Sequence, residues 1–249
     1  MRVSVWMVEQ LDLQPGQQVL ELACGPGDTG FLAAELVRPG GTLVSSDAAM
    51  AMLGVAQGRA RDLGISNVEF KRLELEWIDL PTASVDAVLC RWGLMFAFDP
   101  AASMQEVRRV LRPGGKLALA VWDLPERNPW ATIPTRALVE LGHEEPPDPS
   151  APGMFVLADS VRLRELLESA GFVDVVVEPV GLSWVDTSVG AYLDEMLDLS
   201  RPFADVRARL SDEQWTDVSD KIGSLAEPFT EADGTLRFPA SSLAAAGSA

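Results

Sequence analysis

Histidine and tyrosine each occur once in this sequence, at His143 and Tyr192, and cysteine occurs only twice. One histidine, with no paired cysteine spacing, leaves no ligand set for a metal ion, and none is expected. Two cysteines in 249 residues are too few for a disulfide-framed secreted scaffold. Cys24 and Cys90 are read as buried small residues, not as a redox pair. No apolar stretch reaches the roughly 18 residues that a membrane-crossing helix needs. The opening "MRVSVWMVEQ" lacks the apolar core and small-residue cleavage site of a signal peptide. A cytoplasmic protein without a membrane span is the expectation.

Positive charge is also scarce. Lysine and arginine number 20 against 37 acidic residues, for a net charge of −17. A chain with that balance repels a polyanion unless it carries a local basic patch. The densest basic stretch, "EVRRVLRPGGK", has Arg108, Arg109, Arg112 and Lys116 with no interleaved aromatics. It reads as a solvated helix face and turn, so no nucleic-acid partner is expected. Apolar residues make up 47% of the chain, enough for a packed core.

Apolar runs and helical patterns alternate along the first half. Strands are read at 18–24, 42–47, 68–74, 85–92 and 116–123. Helices are read at 3–11, 29–38, 51–64 and 100–111. Strands separated by helices of this length mean βαβ units and a parallel sheet. Residues 124–158 are rich in proline and read as a loop or lid. A helix at 160–172 leads to a sixth strand at 173–180. Residues 187–226 read as helical, and 235–247 as a last, weaker strand.

The sharpest local signal is "ELACGPGDTG" at 21–30, with the spacing Gly25-x-Gly27-x-x-Gly30. It follows a buried strand and opens a helix. Asp47 stands 20 residues past Gly27 at the end of the second strand, placed to accept from both hydroxyls of a ribose. An adenosine ligand follows, but a nicotinamide dinucleotide and S-adenosylmethionine both carry one. Charge separates them. A dinucleotide lays two phosphates over the loop. S-adenosylmethionine has no phosphate and brings an ammonium and a sulfonium beside one carboxylate. Glu21 and Asp28 repel the first and attract the second, by roughly 4 kcal/mol for opposite charges at about 4 Å and an effective dielectric of 20. In "LELEW", Glu74 is placed to accept from the adenine amino group, with the Leu75 N–H facing the ring.

At these residues the sequence resembles the class I S-adenosylmethionine-dependent methyltransferases, and most of all their small-molecule, quinone-biosynthesis-type branch. The matching motifs are "VLELACGPGDTG", "VSSDAAMAML", "LELEWIDLPTASVDAVLCRWGLMF" and "EVRRVLRPGGKLALAVW". The resemblance implies a Rossmann-like three-layer αβα sandwich. Its seven-stranded sheet has the order 3-2-1-4-5-7-6, with strand seven antiparallel. It implies one domain over 1–249: a cofactor core at 17–123, a lid at 124–158, a helix and sixth strand at 159–181, a helical insertion over the acceptor site at 182–234, and the last strand at 235–249. It implies roles as well. Glu21, Gly25 and Gly27 line the methionine part of the cofactor, and Asp47 takes the ribose hydroxyls. Ala48 and Met52 flank the adenine, and Glu74 and Leu75 meet its edge. Cys90 and Arg91 offer main-chain contacts to the methionine amino group.

Two departures stand out. The family usually has Asp where this chain has Glu74. Only about 16 residues precede the first strand, so the acceptor pocket is expected to be more open or completed by a second subunit, and a homodimer is one expected assembly. No catalytic base is assigned. His143 reads as a surface residue of the lid, and Tyr192 as helix packing. Trp92, Met95, Phe96, Trp122, Trp130, Met154 and Phe155 are read as core residues, some of which wall an apolar acceptor pocket. The function expected is methyl transfer to a small, partly apolar acceptor. The alternatives are a cofactor-binding protein without turnover and an NAD-dependent oxidoreductase.

Overall fold

A computed structural model describes residues 2–148 and 153–249. Its packing divides the chain into two compact units: Met1–Asp123 with Pro152–Val180 and Ser242–Ala249, and Leu124–Ala151 with Gly181–Ser241.

The first unit is built on parallel strands. These are β1 (Gln18–Leu22), β2 (Thr42–Ser46), β3 (Val68–Lys71), β4 (Val85–Arg91) and β5 (Leu111–Trp122). With β6 (Val173–Asp186) and β7 (Leu236–Ser248) they form one sheet in the order β3-β2-β1-β4-β5-β7-β6. Leu20 sits level with Val44 on one side and Val88 on the other. β1 and β4 are apolar because helices cover both faces of the central strands. β7 runs antiparallel to β5, from Lys116 opposite Ser248 to Trp122 opposite Ser242.

The helices follow the expected places: α1 (Arg2–Leu11), α2 (Asp28–Leu36), α3 (Met50–Asp62), α4 (Pro100–Val110) and, after α5 (Pro129–Glu140) of the second unit, α6 (Ser160–Ser169). α4 starts where Pro100 occupies the first turn and the Asp99 carboxylate accepts from Ala101 N and Ala102 N, each at 3.0 Å. Met104, Val107 and Val110 then fall on its buried face. β5 begins at Leu111, five residues before the apolar run that marks it in the sequence, because Leu111 pairs with Val85 ahead of a register shift.

The second unit contains α5 (Pro129–Glu140), α7 (Val189–Leu199), α8 (Arg201–Arg207) and α9 (Asp212–Ala226). The helical reading of 187–226 agrees with the last three. α5 differs from the loop expected across 124–158. Pro129 is harmless in its first turn, and the interior Pro134 is kept helical by burial with Trp130, Ile133 and Ala137. Residues 143–148 hold no helix or strand, and the rest of that proline-rich run, 149–152, lies outside the described residues. Trp130 stacks on Trp184 at 3.9 Å between ring centroids, and Tyr192, fully buried, packs against Phe238 at 5.0 Å. Asn128 acts as a substitute strand partner: it accepts from Ser241 N and donates to Ser241 O, both at 3.0 Å.

A capping box starts α9, with Ser211 Oγ accepting from Gln214 N at 3.2 Å and Gln214 Oε1 accepting from Ser211 N at 2.9 Å. Ser211→Ala is expected to cost about 1 kcal/mol. Thermal denaturation followed by circular dichroism should show a Tm lower by roughly 2–4 °C.

Candidate functional site

Ligands in open α/β sheets bind beyond the carboxyl ends of the strands, where the strand order reverses. Here that point lies between β1 and β4. A cleft of about 440 Å³ opens there, walled by the segments that follow β1, β2, β3 and β4.

The loop after β1 reverses sharply, with positive φ at Ala23 (50°), Gly25 (52°) and Gly27 (89°). Its glycines serve different ends. Gly25 lies on the cleft wall, with no heavy atom within 4 Å of where a Cβ would stand. A Cβ on Gly27 would meet the Phe31 ring at 2.4 Å. One on Gly30 would sit 2.0 Å from the Glu21 carboxylate. Gly30 is bare so that its N–H can donate to Glu21 Oε1 at 2.6 Å. Ser45 Oγ donates to the other oxygen at 2.9 Å. Glu21 is therefore a brace beneath the loop, only 3% exposed. Burial pushes its pKa up to about 7, against the lowering effect of the Ser45 and Gly30 hydrogen bonds and the Arg91 charge.

Asp28 is spoken for as well. Its carboxylate pairs with Arg59 at 2.8 Å and Arg91 at 3.2 Å. Partial burial raises its pKa, but the two guanidiniums more than offset this and hold it below the usual carboxylate range. The negative field over the loop is thus weaker than the formal charges of Glu21 and Asp28 suggest.

Asp47 lies at the cleft, its Oδ2 accepting from Gly25 N at 3.0 Å and its Oδ1 from Ala49 N at 2.9 Å. Ala48, Glu74, Leu75 and Arg91 join Glu21, Gly25 and Asp47 on the wall. Glu74 is exposed and pairs with Arg72 at 3.4 Å. Three expected site residues do not line the cleft. Gly27 precedes α2 against the Phe31 ring, Met52 is 45% exposed on α3, and Cys90 is fully buried within β4. Burial raises the thiols of both Cys24 and Cys90 to about 12, so neither is a nucleophile at neutral pH.

Several wall residues were not singled out from the sequence for the cofactor site: Ala23, Glu76, Gly93 and Ala97. Gly93 was a visible signal. A Cβ there would meet the Ala23 Cβ at 2.4 Å, so the loops after β1 and β4 touch only because Gly93 is bare. The expected aromatic group is divided. Trp92 stacks on Trp122 at 4.4 Å and donates its indole N–H to Ser242 Oγ at 2.9 Å, while Phe96 stands at the cleft. Met95 is buried, and Trp130 packs in the second unit. His143 is half-buried in that unit. Among the described residues no group of three or more His, Cys, Asp and Glu is placed to hold a metal ion, and no helix is long and apolar enough to cross a membrane.

Glu21 holds its proton more tightly folded than unfolded, because its pKa rises from the ordinary 4.5 to about 7. The stability it confers is expected to be complete below pH 4.5 and to be lost as pH rises toward 7, by about 3 kcal/mol. Urea unfolding of the wild type and Glu21→Gln across this range should show the wild type losing that much relative to the variant. A constant difference would mean that Glu21 titrates normally.

The methyltransferase domain family matches residues 13–144. Over 179 residues the chain is 28% identical to the ubiquinone/menaquinone biosynthesis C-methyltransferase UbiE of Cellvibrio japonicus, covering 67% of this chain and 71% of that protein. The enzyme of the same name from Shewanella oneidensis is 30% identical over 182 residues, covering 68% and 72%. Among solved structures, the YcgJ protein of Bacillus subtilis shares the fold, with a TM-score of 0.64 at 18% identity over 99% of this chain and 97% of its own. With the glycine loop, the strand order and the cleft at β1 and β4 in place, the chain belongs to the methyltransferase domain family, the class I S-adenosylmethionine-dependent small-molecule methyltransferases.

Proposed function

We propose that this methyltransferase binds S-adenosylmethionine in the 440 Å³ cleft and methylates a small, partly apolar, ring-bearing acceptor. The observation that carries the reading is Asp47. Its carboxylate stands at the carboxyl end of β2, on the wall shared with the open face of Gly25. A ribose there would meet the carboxylate, while Glu74 and Leu75 would meet the adenine edge and Ala48 its face. Gly25 and the main chain at Arg91 would hold the methionine part. Bound S-adenosylmethionine supplies a methyl carbon already activated for displacement.

The chain's own contribution is alignment and water exclusion, and alignment alone is worth roughly 7–11 kcal/mol in favourable cases. Trp92, backed by Trp122, and Phe96 offer apolar surface at the cleft. A general base is needed only where the acceptor must lose a proton. Residues 124–158 and 182–234, where the family motifs stop, are proposed to set acceptor specificity. The names of the two UbiE relatives put carbon methylation of a quinone precursor first in an acceptor screen. Two free, buried cysteines suit a cytoplasmic setting, and the net charge of −17 argues against nucleic acid. A homodimer remains part of the proposal.

Thermal-shift measurements with S-adenosylmethionine, S-adenosylhomocysteine and NADH test the cofactor. Saturation at about 100 times Kd adds roughly 2.7 kcal/mol, or on the order of 5–11 °C in Tm. Both sulfur ligands should give this shift and NADH none; a shift with NADH alone would favour an oxidoreductase. Asp47→Ala should weaken S-adenosylmethionine binding at least about tenfold, as expected for losing a charged hydrogen-bond acceptor. Unchanged affinity by calorimetry would remove Asp47 from the ribose site.

A further inference from the structure

Two segments that line the cleft come from different parts of the chain: Leu73–Glu76 after β3, and Gly93, Phe96 and Ala97 after β4. The first makes a tight turn, closed by a bridge between Glu74 and Trp77. Past the turn it hangs on α4. Ile78 N donates to Glu106 at 3.0 Å, and Arg109 donates to Ile78 O at 2.7 Å and Leu80 O at 2.8 Å.

At the cleft the tie is Glu76. Its Oε1 accepts from Phe98 N at 2.6 Å and Asp99 N at 3.2 Å. Asp99 is also the residue that caps α4. One carboxylate oxygen thus joins the neighbour of Leu75 to the end of the loop that follows β4. Packing does not do this in its place. Leu94 and Met95 are buried and hold the start of that loop, but Phe96 is 68% exposed and Phe98 fully exposed. A stretch that buries neither ring depends on its hydrogen bonds for position.

We propose that Glu76 is a positioning residue of the cofactor cleft, clamping the segment after β4 to the adenine-facing turn after β3 so that the two walls keep their spacing. This rests on the cofactor reading given above. Glu76 acts through the backbone of Phe98 and Asp99, so an amide in its place, which keeps an oxygen acceptor, should largely preserve the clamp.

The test compares wild type, E76Q and E76A by calorimetry with S-adenosylmethionine and S-adenosylhomocysteine, and by hydrogen exchange at residues 96–99. E76A is expected to raise both Kd values about tenfold, the scale of losing hydrogen bonds to a charged group, and to speed exchange at 96–99. E76Q should stay within about threefold of wild type. Wild-type affinity and exchange in E76A would overturn the proposal, as would E76Q failing as badly as E76A, because charge and not the clamp would then be responsible. If the wild type bound neither ligand, the cofactor reading would fall, and exchange in the unliganded proteins would still decide the clamp: faster in E76A supports it, unchanged overturns it.

Discussion

The arrangement of this site depends on a carboxylate placed where carboxylates are costly. Glu21 is buried at the end of β1, with Gly30 N–H of α2 on one oxygen and the Ser45 hydroxyl of β2 on the other. These contacts join two strands and a helix at the point where the glycine loop leaves the sheet. Burial of an ionised group is unfavourable unless hydrogen bonds replace its water. The brace is therefore specific, since only a glycine at position 30 lets the amide come close enough. With α2 seated, Gly27 and Gly25 take their left-handed conformations, and Asp47 reaches Gly25 N from the neighbouring strand.

A second network extends across the sheet from this brace. Arg59 on α3 and Arg91 at the end of β4 share Asp28 at the start of α2. Arg91 lies over the Trp92 ring at 4.6 Å, and Trp92 stacks on Trp122 of β5 and donates to Ser242 of β7. Trp92 carries a positive φ of 56°, and Ala23, at the end of the neighbouring strand, one of 50°. Non-glycine residues in that region are strained and persist only where surrounding contacts hold them. Here the strain falls at two adjacent strand ends on the cleft wall. Asp28 is consumed in this network, so little surplus negative charge is left over the loop.

Much of this was legible in one dimension. Apolar runs broken by glycine and proline placed β1, β2, β4 and the helices between them, because strands buried on both faces are mostly apolar. The spacing of Gly25, Gly27, Gly30 and Asp47 marked the cleft. β7 was faint because "LAAAG" has little intrinsic preference for a strand; its small residues are used there because seven positions pair with β5, and Gly247 lies against Phe172. α5 was hidden because its two prolines signal breaks, and burial overrode the signal at Pro134.

The sequence by itself determined the parallel α/β class, the family motifs and the identity of the groups at the strand ends, since periodicity and glycine spacing are local properties. Only the tertiary structure decided what each acidic group does. Glu21, Asp28, Asp47 and Glu76 are interchangeable as charges along a chain. Folding gave them different partners: a buried amide and hydroxyl, two guanidiniums, the glycine-loop backbone, and the start of α4. The reason is that burial and hydrogen bonding, which set a carboxylate's charge and role, depend on neighbours far away in sequence.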